Sequence, residues 1–549
     1  MELGIYKNIN MLRNRQIFGK STSLNTWMAC MLLLVLSISS CKKANPISED
    51  PYAGGKETLG IKFLSDVSDT EDVNGVTQIT FEVNGLMPFK DKVKFYINDT
   101  EATITKITDK TITVLFPAGA STGGTTLVVD DQIFFGPAYR VDGKVEVDAT
   151  FATNTDFAFI RQVLPLPNGN LVMVGFFNNY MAAATIKKPI NNIVLINANG
   201  FITKGFLTGK GANNAISSIV RLPTGQFLVG GSLTKYNDRD GINSITRLNS
   251  DGSLDSSRVE VVGNSSDRSY DTVATFNGGV LGNVSKVFNY NNSIYAIGSF
   301  NNYAEYFYER STRDNKVVGY TPLNGLLKMT MSGKMDSTYN FNKSANQPYQ
   351  AGNGSISDAL MQSDGKIILV GSFTTYQGLN TGRIVRIGTD GLVDATYPSG
   401  TGADDAINAI TYSATSGKYL VAGIFNNYNG FATKGLVMLN ADGTIDKKLV
   451  LKQIEGGSIG KAYQLKSGKL LVFGSFKKYD GIIRQGFMIL NPDGSLAAGY
   501  NNTGKFQGIV NDVYESVDIF GNPTALIAGA ISLFDNQQVS GAVRISIKP

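Results

Sequence analysis

The side chains available for chemistry in this chain are narrowly restricted. It contains no histidine and only two cysteines, Cys30 and Cys41. Serine–histidine and cysteine–histidine nucleophiles are therefore excluded, as are imidazole-ligated metals and a histidine switch near neutral pH. An enzyme would have to use carboxylates, a glycosidase-like pair for example, or lysine and tyrosine. Glutamate is sparse beyond residue 143, and no carboxylate pair stands apart from the aspartates of repeated turns. The expectation is a non-catalytic protein with no cofactor and no catalytic or metal-ligating set.

Those turn aspartates invite one other reading. The turns are Asn249-Ser250-Asp251-Gly252, Gly388-Thr389-Asp390-Gly391, Asn440-Ala441-Asp442-Gly443 and Asn491-Pro492-Asp493-Gly494, and a further aspartate follows three residues on in Asp255, Asp394 and Asp446, with Asp336 after the weaker turn at Gly333. Such oxygens suit calcium. Asn and Asp at turns also bond their own backbone, and repetition in nearly every copy favours that folding role.

The strongest ligand-binding candidates are aromatic. Between Tyr303 and Leu326 an insertion carries Tyr306, Phe307, Tyr308, Arg310 and Tyr320. Long loops on a rigid scaffold are where binding concentrates, and this composition suits carbohydrate or protein contact. The alternative is an extended hairpin whose rings pack on the neighbouring repeat. The one tryptophan, Trp27, precedes Cys41, so sugar stacking would fall to tyrosine. A recurring set, Tyr180, Tyr236, Tyr303, Tyr376, Tyr428 and Tyr479, could form a stacking ring, but its fixed register favours packing.

The elements that must position these residues are strands. The stretch Ile356 to Asp394 shows two apolar runs around Ser363-Asp364-Gly365, a third run at Arg383–Ile387, a second turn and a short fourth piece. Asp-Gly between β-formers signals a hairpin, so the stretch predicts four antiparallel strands. Its signature is Gly, an apolar residue two on, and an aromatic five on. It recurs from Gly175, Gly231, Gly298, Gly371, Gly423 and Gly474, with a degenerate seventh copy at Gly529-Ile531-Phe534. Spacings of 51 to 73 residues around a constant core say that strands are fixed and loops vary. A four-stranded period of this kind predicts a seven-bladed β-propeller over residues 142–549. The repeat resembles the delta-60 type, whose known role is architectural.

The two ends of this region complement each other. Residues 142–151 read DGKVEVDATF, like the DGLVDATY of 390–397, while the chain ends at 541–549 in a third-strand sequence. The last blade would borrow its fourth strand from Lys144–Phe151, so loss of the last nine residues should open the ring.

Ahead of it lie three segments. Residues 1–40 read as a leader, with Lys7, Arg13, Arg15 and Lys20 before an apolar Met28–Ile38 too short to span a bilayer. Leu36-Ser37-Ile38-Ser39-Ser40-Cys41 resembles a bacterial lipobox. The resemblance implies diacylglycerol on Cys41, a membrane anchor, and no disulfide once Cys30 is removed. Lys42 after it implies, by the same resemblance, the outer membrane, with cell-surface exposure open. Residues 41–57 read as a polar tether. Residues 58–141 alternate as strands, expected at Ile79–Val83, Val93–Ile97, Ala102–Ile107, Thr111–Phe116 and Thr125–Val129. With Asn84-Gly85 and Val114-Leu115-Phe116-Pro117, they resemble an IPT/TIG immunoglobulin-like sandwich. The whole resembles Bacteroidetes lipoproteins of unknown function.

Net charge is +5, and the leader accounts for about three of these. That is no footprint for nucleic acid. The expected function is glycan or other extracellular ligand binding as an accessory to a nutrient-uptake complex. An outer-membrane protein–protein scaffold is the second expectation and a carboxylate hydrolase the third.

Overall fold

The computed structural model describes residues 57–64, 69–73, 76–153, 158–263 and 268–549. Cys41 and the expected leader lie outside them. The chain divides into two units, 1–60 and 61–549. Of the first, only 57–60 are described, and they form no helix or strand. Among the described residues no helix is long and apolar enough to cross a membrane.

Residues 61–139 form two antiparallel sheets. One runs Lys62–Phe63, Val76–Asn84, Thr111–Leu115, Ile104–Ile107; the other runs Thr100–Ala102, Lys94–Ile97, Gly123–Val129, Gln132–Tyr139. Alternating residues Ile79, Phe81 and Val83 of one, and Phe95, Ile97, Leu127 and Val129 of the other, are buried. The Phe81 and Phe95 rings meet at 4.9 Å. The expected single strand Ala102–Ile107 is two pieces, because the chain leaves one sheet after Ala102 and joins the other at Ile104. Gln132–Tyr139 adds a strand beyond the five expected, through Gly136-Pro137. It lies on an edge, where proline is tolerated. Here Gly136 is needed because a Cβ would sit 2.5 Å from Phe63 and Thr125.

Beyond residue 143 the sheets follow one plan. Ile356–Met361, Ile367–Gly371 and Ile384–Ile387 pair in that order, and the same order recurs in the copies before and after. The middle strand is buried along its whole length, which is why it reads as an unbroken apolar run and not an alternating one. Each core lies between neighbouring sheets: Ile368, Val370 and Ile384 pack with Ile407, Ile410 and Val421 of the next copy. Burial of one copy therefore requires its neighbour. The expected fourth strand is smaller than anticipated. In the 356–394 copy it is a single bridge, Ile387 to Val393, with counterparts such as Leu439 to Ile445.

The first and last copies meet. Ile160, Met173 and Val194 share a core with Leu526, Ala528 and Ala542. Val145–Val147 pairs antiparallel with Ile547, Ser546 and Ile545, the pairing expected from the matching sequences of the two ends. The N-terminal sheets also touch this region: the Thr122 N–H donates to the Asn502 carbonyl at 2.9 Å, and Arg484 Nη1 to the Gly119 carbonyl at 3.1 Å.

Candidate functional site

The signature glycine explains the site. Gly175, Gly231, Gly298, Gly371, Gly423, Gly474 and Gly529 each pair with an inner strand where its register shifts. A Cβ on any of them would lie 1.9–2.3 Å from an inner-strand carbonyl oxygen. Only glycine admits so close a backbone, and the close approach is what accommodates the extra residue of a bulge. The bulged residues are Arg161, Ser217, Ser285, Ser357, Asn408, Gly460 and Asn511, and all seven line one cavity of about 580 Å³. A glycine pattern legible in the sequence thus gathers seven inner strands around one channel, six of them presenting a polar side chain at the bulge.

The next residue in each inner strand is Gln162, Ser218, Lys286, Asp358, Ala409, Lys461 or Asp512. Several of these side chains clasp the following copy at one equivalent backbone position. Gln162 Oε1 accepts the Ile219 N–H at 2.9 Å, and Ser218 Oγ the Val287 N–H at 3.2 Å. Asp358 Oδ2 accepts the Ile410 N–H at 3.2 Å, and Asp512 Oδ2 the Val163 N–H at 2.9 Å. The last of these joins the final copy to the first. Lysine has no acceptor to offer, so after Lys286 and Lys461 the next aspartate caps its own neighbour. Ala359 N–H donates to Asp358 Oδ1, and Val513 N–H to Asp512 Oδ1, both at 2.9 Å.

Two buried carboxylates consequently shift in opposite directions. Burial raises both, but Lys286 Nζ at 3.0 Å and Lys461 Nζ at 4.0 Å pull Asp358 below the ordinary carboxylate value. Asp512 has no ion pair at such distances among the described residues, and burial carries it upward. Asp358 also raises the Lys286 ammonium, whereas burial dominates at Lys461 and lowers it. Asp358 lines the cavity, whereas Asp512 is not among its lining residues although its neighbour Asn511 is.

Sequence reasoning missed this channel. Its signal was a charged residue inside an apolar inner strand, as in the ISDALM of 356–361, the IGKAYQ of 459–464 and the VNDVYE of 510–515.

The sequence candidates lie elsewhere. The insertion is an extended hairpin: Val318–Pro322 returns along the end of Ser293–Tyr306, with a 3₁₀ turn at Tyr308–Arg310. Tyr306 and Tyr308 stack, centroids 5.8 Å apart and planes 8° off parallel. The Arg310 guanidinium lies 5.2 Å from the Phe307 ring, and Tyr320 is 56 % exposed. The chain ahead of this copy forms a hairpin of its own, Ser256–Val261 with Ser269–Ala274. It binds the insertion through Arg313 Nε to the Tyr270 carbonyl at 2.7 Å and Lys316 Nζ to Asp271 at 2.6 Å. The repeated tyrosines are buried. Tyr180, Tyr236 and Tyr303 donate their hydroxyls to the carbonyls of Gly200, Gly252 and Gly333. The turn aspartates serve their own turns: Asp251 Oδ1 accepts the Ser253 N–H at 3.0 Å, and Asp394 holds Arg386 at 2.9 Å and Lys366 at 2.8 Å.

Comparison with known families agrees with this geometry. Residues 222–257, 362–397, 415–447 and 465–496 match a β-propeller domain of unknown function, DUF5122. This is an all-β protein with a propeller-type domain. Residues 34–137 match a second domain of unknown function, DUF5008. No curated protein matches the chain. Among solved structures, the WD40 β-propeller domain of Doa1 aligns at 13% identity over 73% of this chain and 96% of its own, with a TM-score of 0.33. Auxiliary nutrient binding proteins from Bacteroides ovatus and Bacteroides thetaiotaomicron align at 11% and 10% identity, each over 86% of this chain and 94% of their own, with TM-scores of 0.26 and 0.30. Likeness at these scores carries no argument about function.

Proposed function

We propose that this protein is a non-catalytic binding protein of the cell envelope. In this reading, a seven-bladed propeller closed by Val145–Val147 holds a hydroxylated ligand, a glycan, in its channel. An Ig-like spacer, residues 58–141, joins it to a tether lipidated at Cys41 in the outer membrane, beside a nutrient-uptake complex. The observation that carries the reading is the cavity of about 580 Å³ ringed by serine, asparagine, lysine and arginine from seven inner strands. Its size falls within the range of small-ligand sites, roughly 300–1,000 Å³. Asp358 is the one carboxylate among the lining residues; it pairs with Lys286 at 3.0 Å, has Lys461 at 4.0 Å, and accepts two backbone N–H groups. That arrangement favours binding over two-carboxylate hydrolysis. The insertion residues Tyr306, Phe307, Tyr308, Arg310 and Tyr320 are the second contact surface of the proposal.

The scaffold reading has its own support. Ile133 and Phe135 point the same way from an edge strand and are 57% and 82% exposed. Exposed apolar side chains of this kind mark contact surfaces when they cluster.

A glycan array with polysaccharide gel retardation tests the binding reading, and Gly460→Tyr supplies the control. Gly460 has no positive φ, and its Cβ would meet nothing closer than 3.7 Å, so tyrosine fits the backbone and fills the channel. Retention lost in Gly460→Tyr, with thermal stability kept, is the expected result. Retention kept there but lost on replacing Tyr306, Phe307 and Tyr308 by alanine would move the site to the insertion. No retention of any glycan would sink the reading and leave the scaffold.

A further inference from the structure

Charge around the channel is unbalanced. Among the described residues, Arg161, Lys286 and Lys461 line the cavity against one lining carboxylate, Asp358, while Asp512 acts on both lysines through its charge. Lys286 engages Asp358 at 3.0 Å. Lys461 does not share that contact fully: its nearest carboxylate oxygen, on Asp358, is 4.0 Å away, beyond hydrogen-bond length, and its side chain is 10% exposed. A buried ammonium without a close counter-ion is costly to hold. Burial accordingly lowers Lys461, and also Arg161. Arg161 lies 4.1 Å from the Phe159 ring and forms no ion pair among the described residues. Beside Lys461 the bulged position is Gly460, whose missing side chain leaves the channel open at that point.

We propose that the channel takes an oxyanion, a carboxylate or sulfate, carried on a hydroxylated ligand: an acidic saccharide. The anion supplies a counter-charge within hydrogen-bond length, which Lys461 lacks at 4.0 Å from Asp358 and Arg161 lacks among the described residues, while Lys286 remains with Asp358. Asn408 and Asn511, on the same ring, meet the hydroxyls. This inference rests on the binding reading above and adds a charge preference to it. Charge-assisted hydrogen bonds in a partly desolvated site make such a preference strong.

The test is calorimetric titration of the whole protein with three probes: an oligogalacturonate, its carboxyl-reduced neutral counterpart, and a sulfated galactan oligomer. Lys461→Met and Arg161→Gln are the variants, with thermal melts confirming that each folds. Arg161 is less buried than Lys461, so Arg161→Gln keeps the test alive where Lys461→Met does not fold. The expected result is binding of an acidic oligomer that weakens by about tenfold or more on carboxyl reduction and by about tenfold in each variant. Preference between the first and third probes distinguishes carboxylate from sulfate. Equal binding of the acidic and neutral oligomers would overturn this inference and leave the binding reading intact. Acidic binding unchanged in both variants would also overturn it. Binding of none of the three overturns it as well, and the glycan array then decides separately whether the channel binds neutral sugar.

Discussion

Asp148 and Arg544 lie 396 residues apart, yet they reproduce a contact made elsewhere between residues eight apart. Arg544 Nε donates to Asp148 Oδ2 at 2.6 Å, and the Asp148 N–H donates to the Arg544 carbonyl at 2.9 Å. Arg386 and Asp394 form the same two bonds at 2.9 and 2.8 Å. Even the neighbours correspond. Arg544 reaches the Thr150 hydroxyl and lies over Phe151, as Arg386 reaches Thr396 and lies over Tyr397. The N-terminal segment therefore completes the last sheet with the chemistry of an ordinary copy. The pair is buried, with side chains 2% and 6% exposed. Arg544→Ala leaves a carboxylate uncompensated and should cost about 3–5 kcal/mol. Arg386→Ala should cost less, because Lys366 still pairs with Asp394. Urea denaturation of the two variants checks the order. Equal losses would mean that the seam contributes no more than an interior pair.

A second prediction concerns the signature aromatics. The Tyr236 hydroxyl is fully buried and donates to the Gly252 carbonyl at 2.8 Å. The hydroxyls of Tyr376 and Tyr428 occupy the same place in the repeat but find no partner among the described residues. In the first of these copies Gln377 Nε2 takes the turn carbonyl of Gly391 instead, at 2.7 Å. Tyr236→Phe leaves a buried carbonyl without its donor and should lose about 1–3 kcal/mol. Tyr376→Phe and Tyr428→Phe should be neutral or slightly stabilising. Thermal melts of the three variants separate them, and a uniform loss would refute the distinction.

These contacts show what could be read from the chain and what could not. The strands of the 356–394 copy followed from apolar runs and Asp-Gly turns, and the pairing of Val145–Val147 followed from a matching octapeptide. Both are local patterns whose physical cause lies within a few residues. The glycine signature was visible, but its cause was not. Gly371 is required by a carbonyl of Ser355, 2.0 Å from where its Cβ would stand, and that proximity exists only once the hairpin has formed. The channel was less legible still. Lys286, Asp358, Lys461 and Asp512 are scattered over more than 200 positions and come together only because their inner strands border one cavity. The insertion drew attention by composition, whereas the channel side chains sit singly in strands that otherwise read as core.

Acid should loosen the repeats in a defined window. Burial alone would raise Asp394, but bonds from Lys366 and Thr396 and the charge of Arg386 outweigh it and hold the carboxyl well below its ordinary 3.8. Asp446 and Asp336 are lowered likewise, with Lys418 and Lys328 as partners. A depressed folded value means that this stabilisation is complete above the unfolded value and is lost as pH falls through the folded one. The melting temperature should therefore drop as pH falls below about 4, with a shallower drop in Asp394→Asn. An identical acid profile for the variant would assign the loss to other carboxylates.

Asp512 should act in the opposite sense. Burial is the largest influence on it and raises its folded value above 3.8, against the Val163 N–H and the charges of Lys461 and Lys286. The native state then holds a proton more tightly than the unfolded chain does. Its contribution is complete below the unfolded value and is lost as pH rises through the folded one. Asp512→Asn keeps an oxygen for the Val163 N–H and removes the titration, so its stability should change less between pH 4 and pH 7 than that of the parent. Asp512→Ala removes the acceptor as well and leaves a buried N–H unpaired where the last copy joins the first, a loss of about 1–3 kcal/mol. Melts of both variants across that range separate the two roles. If Asp512→Asn is as unstable as Asp512→Ala at every pH, the charge itself, and not its acceptor oxygen, holds the junction between Asp512 and Val163.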